Sequence, residues 1–163
     1  MKMNQIDSTR LKEILNYDPI TGIFTWRETG KGKKRITAGC FRDGYISINI
    51  EKKRYQAHRL ALIYVYGECT SHDVDHINGI KTDNRIVNLR PATRSENKQN
   101  IKKIQPNNKS GYMGVDFHKS TGFWRATITT MSKQKHIGLY KTPEEAHQAY
   151  LTTKRAIHPF STV

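Results

Sequence analysis

The residues best suited to chemistry in this sequence are an adjacent aspartate and histidine, Asp75 and His76. They follow Val74, a residue type that favours β-strands, and they precede Asn78-Gly79, a dipeptide that favours a tight turn. Because neighbouring side chains of a strand point to opposite faces, both can serve one site only if the chain bends directly after them. The sequence therefore predicts a strand that ends at His76 and a turn at Asn78-Gly79.

Two asparagines further along the chain, Asn88 and Asn97, complete the candidate site. The segment 93–96 has the S/T-x-x-E pattern of a capping box, which begins a helix. Asn97 is therefore expected in the first turns of that helix, facing the element against which the helix packs. The predicted unit is a strand that ends in Asp-His, a polar loop and a capped helix, which together make a ββα-type site of a hairpin and a helix.

These side chains suit metal-assisted hydrolysis. The carboxylate of Asp75 and the amide oxygen of Asn97 are hard ligands for Mg²⁺ or Mn²⁺, and Mg²⁺ commonly takes its other ligands from water and substrate phosphate. His76 can accept a proton from water near neutral pH, and a hydrogen bond from Asn88 could hold its imidazole in one tautomer. Each feature alone is common in turns and surface pairs, but together they predict hydrolysis of a phosphodiester bond.

The same residues resemble the motif of the HNH nucleases, and the stretch from Asp75 to Asn97 is similar to homing-type members from phages and introns. The resemblance implies that Asp75 and Asn97 hold a divalent metal ion, that His76 is the general base and that Asn88 orients it. Many relatives carry His at the last position. Asn also occurs at this position in the family, so the resemblance implies that the departure from His weakens metal affinity more than it affects the assignment of Asn97. The four-cysteine zinc site of some relatives is absent from the sequence.

Length and charge limit the classes of function. The 163 residues suffice for one domain or two small ones. With 28 Lys and Arg against 14 Asp and Glu, the formal charge of +14 favours a polyanion as partner, most commonly nucleic acid. No membrane-spanning apolar run, lipidation signal or signal peptide is evident, so we expect a cytoplasmic protein of a phage or bacterial host cell, not a secreted one. Cys40 and Cys69 fit reduced thiols without metal-type spacing.

The segment before the site is expected to be β-rich. A short helix is predicted from Ser8, which could act as its cap, and strands are predicted at 23–27, 45–50 and 54–57. The apolar segment 58–66 predicts a buried helix that ends at Gly67. His58, at the start of that helix, is interpreted as a structural residue, and the role of Arg59 is left open.

The chain after the candidate site predicts a second unit. Strands are expected at 112–118, 123–129 and 133–140, followed by a helix with Thr142 as cap and Pro143 in its first turn. Three antiparallel strands and one packed helix leave one sheet face uncovered. We assign the candidate DNA-binding residues to this face: Arg125, His118, Lys119, Lys133 and Lys135. A sheet face can enter the major groove, where Arg reads guanine and Lys holds phosphate.

Four separated pieces of this unit are similar, in order, to the plant ethylene-response-factor type of DNA-binding domain, which also occurs in phage HNH proteins. They are Gly114-Val115, Trp124-Arg125-Ala126, Gly138-Leu139-Tyr140 and Glu144-Glu145-Ala146. The resemblance implies that Arg125 and neighbouring strand residues contact DNA. The side chain of Trp124 fits either face, and we favour the core.

The sequence as a whole predicts an α+β protein with a ββα-metal HNH module and a three-stranded antiparallel sheet with one packed helix. The predicted segments are a β-rich region 1–56, a nuclease core 57–101, a basic linker 102–110 and a DNA-binding domain 111–163. We expect a monomeric endonuclease that cleaves or nicks double-stranded DNA at sites chosen by the last domain, without a small-molecule cofactor or a membrane. The alternative is a DNA-binding regulatory protein with a vestigial nuclease site. An RNA-binding module is disfavoured, since no exposed aromatic pair offers a stacking surface.

Overall fold

The computed structural model describes residues 6–27, 36–69, 73–100, 104–130 and 133–162. They form two compact units, one up to Thr93 and the other from Arg94 onward. Both units contain helices and antiparallel strands, which confirms the α+β class. Among the described residues, no helix is long and apolar enough to cross a membrane.

The first unit begins with a helix and a hairpin. Helix α1 (Ser8–Ile14) is capped by Asp7, whose carboxylate accepts hydrogen bonds from the backbone N–H groups of Thr9 and Arg10 at 2.9 and 3.1 Å. The cap is therefore Asp7 and not Ser8, the predicted one, because the carboxylate satisfies two N–H groups of the first turn. Strands β1 (Leu15–Asp18) and β2 (Ile23–Trp26) follow as an antiparallel hairpin.

A three-stranded sheet and a buried helix complete the scaffold of the first unit. The sheet has the order β3-β4-β5, with β3 at Cys40–Arg42, β4 at Tyr45–Ile50 and β5 at Lys53–Gln56. Helix α2 (Ala57–Tyr66) ends at Gly67, which takes a left-handed conformation with φ of 87°. One apolar core joins α1, the hairpin, the sheet and α2 to residues of the strands that follow. The segments predicted as 1–56 and 57–101 therefore share a core, and their boundaries remain predictions.

The candidate site lies on the last hairpin of the first unit. Strand β6 (Asp73–His76) pairs with β7 (Leu89–Ala92), and a 3-10 turn (Ile86–Asn88) directly precedes β7. Val74 and Leu89 extend from this hairpin into the shared core. The polar loop between the strands is therefore attached to a packed scaffold at both ends.

The second unit contains α3 (Arg94–Gln99) and a sheet with the order β10-β9-β8, which α4 (Pro143–Ile157) covers on one face. The strands are β8 (Val115–His118), β9 (Phe123–Thr130) and β10 (Lys133–Tyr140). Thr142 caps α4 by accepting a hydrogen bond from the Glu145 N–H at 3.2 Å. The core between sheet and helix consists of Val115, Ala126, Ile128, Ala146 and Tyr150, and Trp124 packs against it.

The close contact of Gly114 with α4 yields a stability prediction. Gly114 and Gly122 both have a positive φ, 77° and 74°, but a Cβ on Gly114 would overlap the Tyr150 ring whereas a Cβ on Gly122 would meet open space. Both Ala substitutions cost roughly 1–2 kcal/mol of backbone strain, and Gly114→Ala adds roughly 1–3 kcal/mol of overpacking. Urea unfolding in a Trp26→Phe background, where Trp124 reports the second unit, checks this. Equal losses in the two variants would contradict it.

Candidate functional site

Asp75 and His76 end strand β6 as buried residues, with 3% and 5% of their surfaces exposed. Asp75 is paired in register with Arg90 on β7, where opposite charges attract across the strands. The Arg90 Nε and Nη2 atoms lie 2.7 and 2.6 Å from Asp75 Oδ2. This ion pair fixes the orientation of the carboxylate. Arg90 was not among the residues predicted from the sequence, because its role depends on the register of two strands.

The imidazole of His76 faces a second asparagine that the sequence did not indicate, Asn84. Its Nε2 lies 3.4 Å from Asn84 Oδ1, while the Asn84 Nδ2 donates to the Thr82 carbonyl at 3.3 Å. Asn84 is buried, with 3% of its surface exposed. Burial lowers the pKa of His76 below its ordinary value, and this outweighs the opposing influence of Asn84 and of the nearby carboxylates. The imidazole is therefore neutral near neutral pH.

Asn88 closes the loop between β6 and β7. Its Oδ1 accepts a hydrogen bond from the Asn78 backbone N–H at 2.9 Å, and its Nδ2 donates to the Asp83 carbonyl at 2.8 Å. The Ile77 N–H donates to the Asn88 carbonyl at 2.9 Å. The amide predicted to orient His76 thus contacts the loop backbone, and Asn84 is the amide beside the imidazole.

Asp83 adds an ionic brace within the same loop. Its carboxylate receives hydrogen bonds from Arg85 Nε and Nη2 at 2.8 and 2.6 Å and from Asn78 Nδ2 at 2.7 Å. These donors, Arg85 foremost, lower the pKa of Asp83 to about 2. Asp83 is therefore charged at any pH at which the protein would act, and the brace persists.

The N-terminal hairpin holds the segment that carries Asn84. The Tyr17 hydroxyl donates to the Asn84 carbonyl at 2.7 Å, and the Ile86 N–H donates to the Pro19 carbonyl at 3.2 Å. Gly22 approaches so closely that a Cβ there would overlap the backbone of Asn84 and Arg85. A side chain at position 22 would therefore displace the residue that contacts His76.

His58, interpreted from the sequence as structural, lies directly against the candidate base. Its ring centroid is 5.1 Å from that of His76 in an edge-to-face arrangement, and the Tyr45 ring lies 5.2 Å from His58 and 6.2 Å from His76. His58 has 5% of its surface exposed, and its Nδ1 has no hydrogen-bond partner within the described part of the chain. Burial lowers the pKa of His58 to about 3, so this imidazole is also neutral.

Asn97 lies on α3, half-buried, and belongs to the second unit. Its pairing with Asp75 as a metal ligand therefore remains a prediction. In the described ranges, no group of three or more His, Cys, Asp or Glu side chains could hold a metal ion. A carboxylate and an amide oxygen fit a hard divalent cation only where water and phosphate oxygens complete its ligand set.

The uncovered face of the second sheet differs from the predicted one in strand β10. In β9 and β10, Lys133 is opposite Thr130 and Lys135 is opposite Ile128, so both lysines project from the face that α4 covers. Their assignment to the uncovered face was wrong. Gln134 and His136, opposite Thr129 and Thr127, project from it instead.

A shallow cleft of about 310 Å³ lies on this uncovered face. It is lined by His118, Arg125, Thr127, Gln134, His136 and Leu139. Arg125 donates to both carboxylate oxygens of Asp116, from Nε at 3.2 Å and from Nη2 at 2.7 Å. Lys119 is exposed in the turn after β8. Arg125 and His118 are thus brought together, and Gln134 and His136 join them.

Comparisons with known proteins show what the sequence is similar to. A family model described as HNH endonuclease matches residues 55–99. The chain is also 32% identical over 84 residues to Protein 3.8 of Escherichia phage T7, an overlap that covers 45% of this chain and 69% of that protein. No solved structure matches the chain.

The buried imidazole of His58 predicts a loss of stability in acid. The pKa of His58 is about 3 in the folded protein and about 6.5 in the unfolded chain, so the unfolded chain takes up the proton first as the pH falls. The stabilisation is complete above pH ~6.5 and is lost towards pH ~3, by up to about 1.36 kcal/mol per pH unit. The free energy of unfolding at pH 7.5 and 5.0 checks this, in a Trp124→Phe background where Trp26 reports the first unit.

His58→Phe should remove part of that pH dependence, because the ring remains and the titrating nitrogens do not. The control is His136→Phe, at an exposed position on β10. An unchanged pH dependence in His58→Phe would contradict the assignment.

Proposed function

The chain belongs to the family of Protein 3.8 of Escherichia phage T7 and contains an HNH endonuclease domain, and from this premise we propose that it is a metal-dependent endonuclease of double-stranded DNA. The observation that carries the proposal is the end of β6, where a buried carboxylate and a buried, neutral imidazole are adjacent and a braced loop follows at once. The alternative, a regulatory DNA-binding protein, has no such need for a neutral base.

His76 is the proposed general base. As a neutral imidazole it can take a proton from the water that attacks the phosphorus atom. Asn84 and the ring of His58 restrict the orientation of the His76 ring. Asn88 acts through the loop, whose backbone it closes.

Asp75 and Asn97 are the proposed ligands of one divalent ion, Mg²⁺ or Mn²⁺. Arg90 holds the carboxylate of Asp75 in a fixed direction. When bound, the ion would stabilise negative charge on the phosphate and on the leaving oxygen.

The uncovered face of the second sheet is the proposed DNA-binding surface, of the ethylene-response-factor type. The guanidinium of Arg125 is held by Asp116 in the plane of its two hydrogen bonds, and a pre-oriented fork is what reading a guanine edge requires. His118, Gln134 and His136 offer further polar atoms beside it, and Lys119 offers a phosphate contact. This surface would select the sites at which the nuclease acts.

One chain holds one Asp75–His76 pair, and the strands of a duplex are antiparallel. A single site in a fixed orientation presents its attacking water in line with only one strand. We therefore propose a monomer that nicks one strand per binding event.

The roles of His76 and Asn97 give a direct test. His76→Ala and Asn97→Ala should abolish cleavage of supercoiled plasmid in Mg²⁺ or Mn²⁺. The affinity for the duplex should stay nearly unchanged, because the base and the metal ligand act on the chemical step and not on DNA binding. Asn107→Ala, which changes an exposed asparagine after α3, is the matched control and should cleave normally.

The same gel reports the order of products. Open circles should accumulate before linear DNA, and EDTA should stop the reaction. If the wild-type protein binds DNA but cleaves it with neither Mg²⁺ nor Mn²⁺, the regulatory alternative is favoured. Loss of binding by a folded His76→Ala variant would contradict the division of roles.

The role of Arg125 is tested by binding. Arg125→Ala should weaken binding to the preferred duplex by about 1–3 kcal/mol if the guanidinium reads a guanine. Arg125→Lys should weaken binding by a similar amount, because an ammonium group keeps the charge but loses the bidentate hydrogen-bonding geometry. Fluorescence anisotropy on selected and random duplexes measures this, with Arg155→Ala on α4 as the control. Full affinity in Arg125→Lys would show that the side chain contacts only phosphate.

A further inference from the structure

Lys81 is an exposed residue of the loop between β6 and β7, yet its side chain is held in place. Its Nζ lies 4.7 Å from the centroid of the Tyr45 ring, a cation–π contact. Its stem passes the Asp43-Gly44 turn, where a Cβ on Gly44 would be in van der Waals contact with Lys81 Cδ at 3.8 Å. A side chain that normally samples many rotamers is therefore directed along one surface.

That surface borders the candidate site. Tyr45 carries Lys81 on its ring and lies 6.2 Å, between centroids, from the ring of His76. The positive charge of Lys81 is near enough to His76 to disfavour a second positive charge on the imidazole. A phosphate that approached His76 would therefore meet the ammonium group of Lys81.

Arg90, the basic side chain beside Asp75, is engaged in the ion pair with that carboxylate. A positive charge beside the site attracts the phosphodiester backbone that must approach it. Resting on the proposed nuclease function, we propose that Lys81 binds a backbone phosphate of the DNA strand that enters the site, and that Tyr45 positions it. The contact is to phosphate and not to a base, because a compact ammonium suits a point charge and carries no sequence information.

The salt dependence of duplex binding tests this directly. Each phosphate contact contributes about 0.9 to the magnitude of the slope of log K against log salt concentration. Lys81→Met keeps the length of the stem and removes the charge, so the slope should decrease in magnitude by about 0.9. Lys81→Arg should keep the wild-type slope. Anisotropy in EDTA measures binding without cleavage.

Lys12→Met is the matched control, since Lys12 lies over the ring of Tyr64 at 5.4 Å in the same type of contact, but on α1. Its slope should equal that of the wild type. Tyr45→Leu should weaken binding about as Lys81→Met does, and Tyr45→Phe, which retains the ring, should not. An unchanged slope in Lys81→Met, or an equal change in Lys12→Met, would overturn the proposal.

Single-turnover cleavage at saturating enzyme separates binding from chemistry. A residue that binds phosphate equally in the ground state and the transition state changes the concentration needed for saturation and leaves the saturated rate within about twofold. A large fall in that rate with unchanged affinity would contradict the proposal. A wild-type protein that binds but does not cleave would refute the nuclease function, and the salt slope would still decide the role of Lys81.

Discussion

The candidate site depends on the closure of one loop by the amide of Asn88. Asn88 is the last residue of the segment between β6 and β7, and its two hydrogen bonds connect that end to the Asn78 N–H near the start and to the Asp83 carbonyl in the middle. Asn84 and Lys81 lie within that segment, and Asp83 braces it through Arg85. A hydrogen-bonded amide inside a loop costs little conformational freedom once the loop has formed, and it fixes several side chains at once. The asparagine therefore acts on the base through the backbone.

The loop is also held from outside the part of the chain that the HNH family model matches. The hydroxyl of Tyr17 binds the carbonyl of Asn84, and Gly22 leaves space for the same backbone. The apolar core of the first unit runs from Leu11 to Leu89 without a break between these parts. Residues 55–99 contain the candidate catalytic and metal-binding residues, but the geometry around His76 requires the N-terminal hairpin as well.

The sequence was most informative where local chemistry decides the structure. The turn after His76, the glycine that ends α2 and the Thr-Pro start of α4 all depend on neighbouring residues, and the structure has them at the expected positions. Asp7 replaced Ser8 as the first cap, a choice between adjacent residues that both suit the role. Contacts between distant segments could not be predicted from the sequence. The position of Asn84 depends on a hydrogen bond from Tyr17, and the pairing of Arg90 with Asp75 depends on the register of β6 and β7. Strand β10 shows the same limit, since the uncovered face is set by its pairing with β9, and that pairing places Lys133 and Lys135 on the other side.

Burial, more than the charge of Lys81, makes the candidate base neutral. Asp75 and Asp83 favour the protonated form of His76, as does the hydrogen bond with Asn84, yet burial against α2 outweighs them. The rings of His58 and Tyr45 pack against the imidazole, with centroids 5.1 and 6.2 Å from it. The same packing leaves His58 Nδ1 without a partner among the described residues, which costs about 1–3 kcal/mol for a buried polar atom. A neutral imidazole at neutral pH and reduced stability in acid therefore have one physical cause. A substitution that restores stability in acid should therefore be examined for its effect on the protonation of His76.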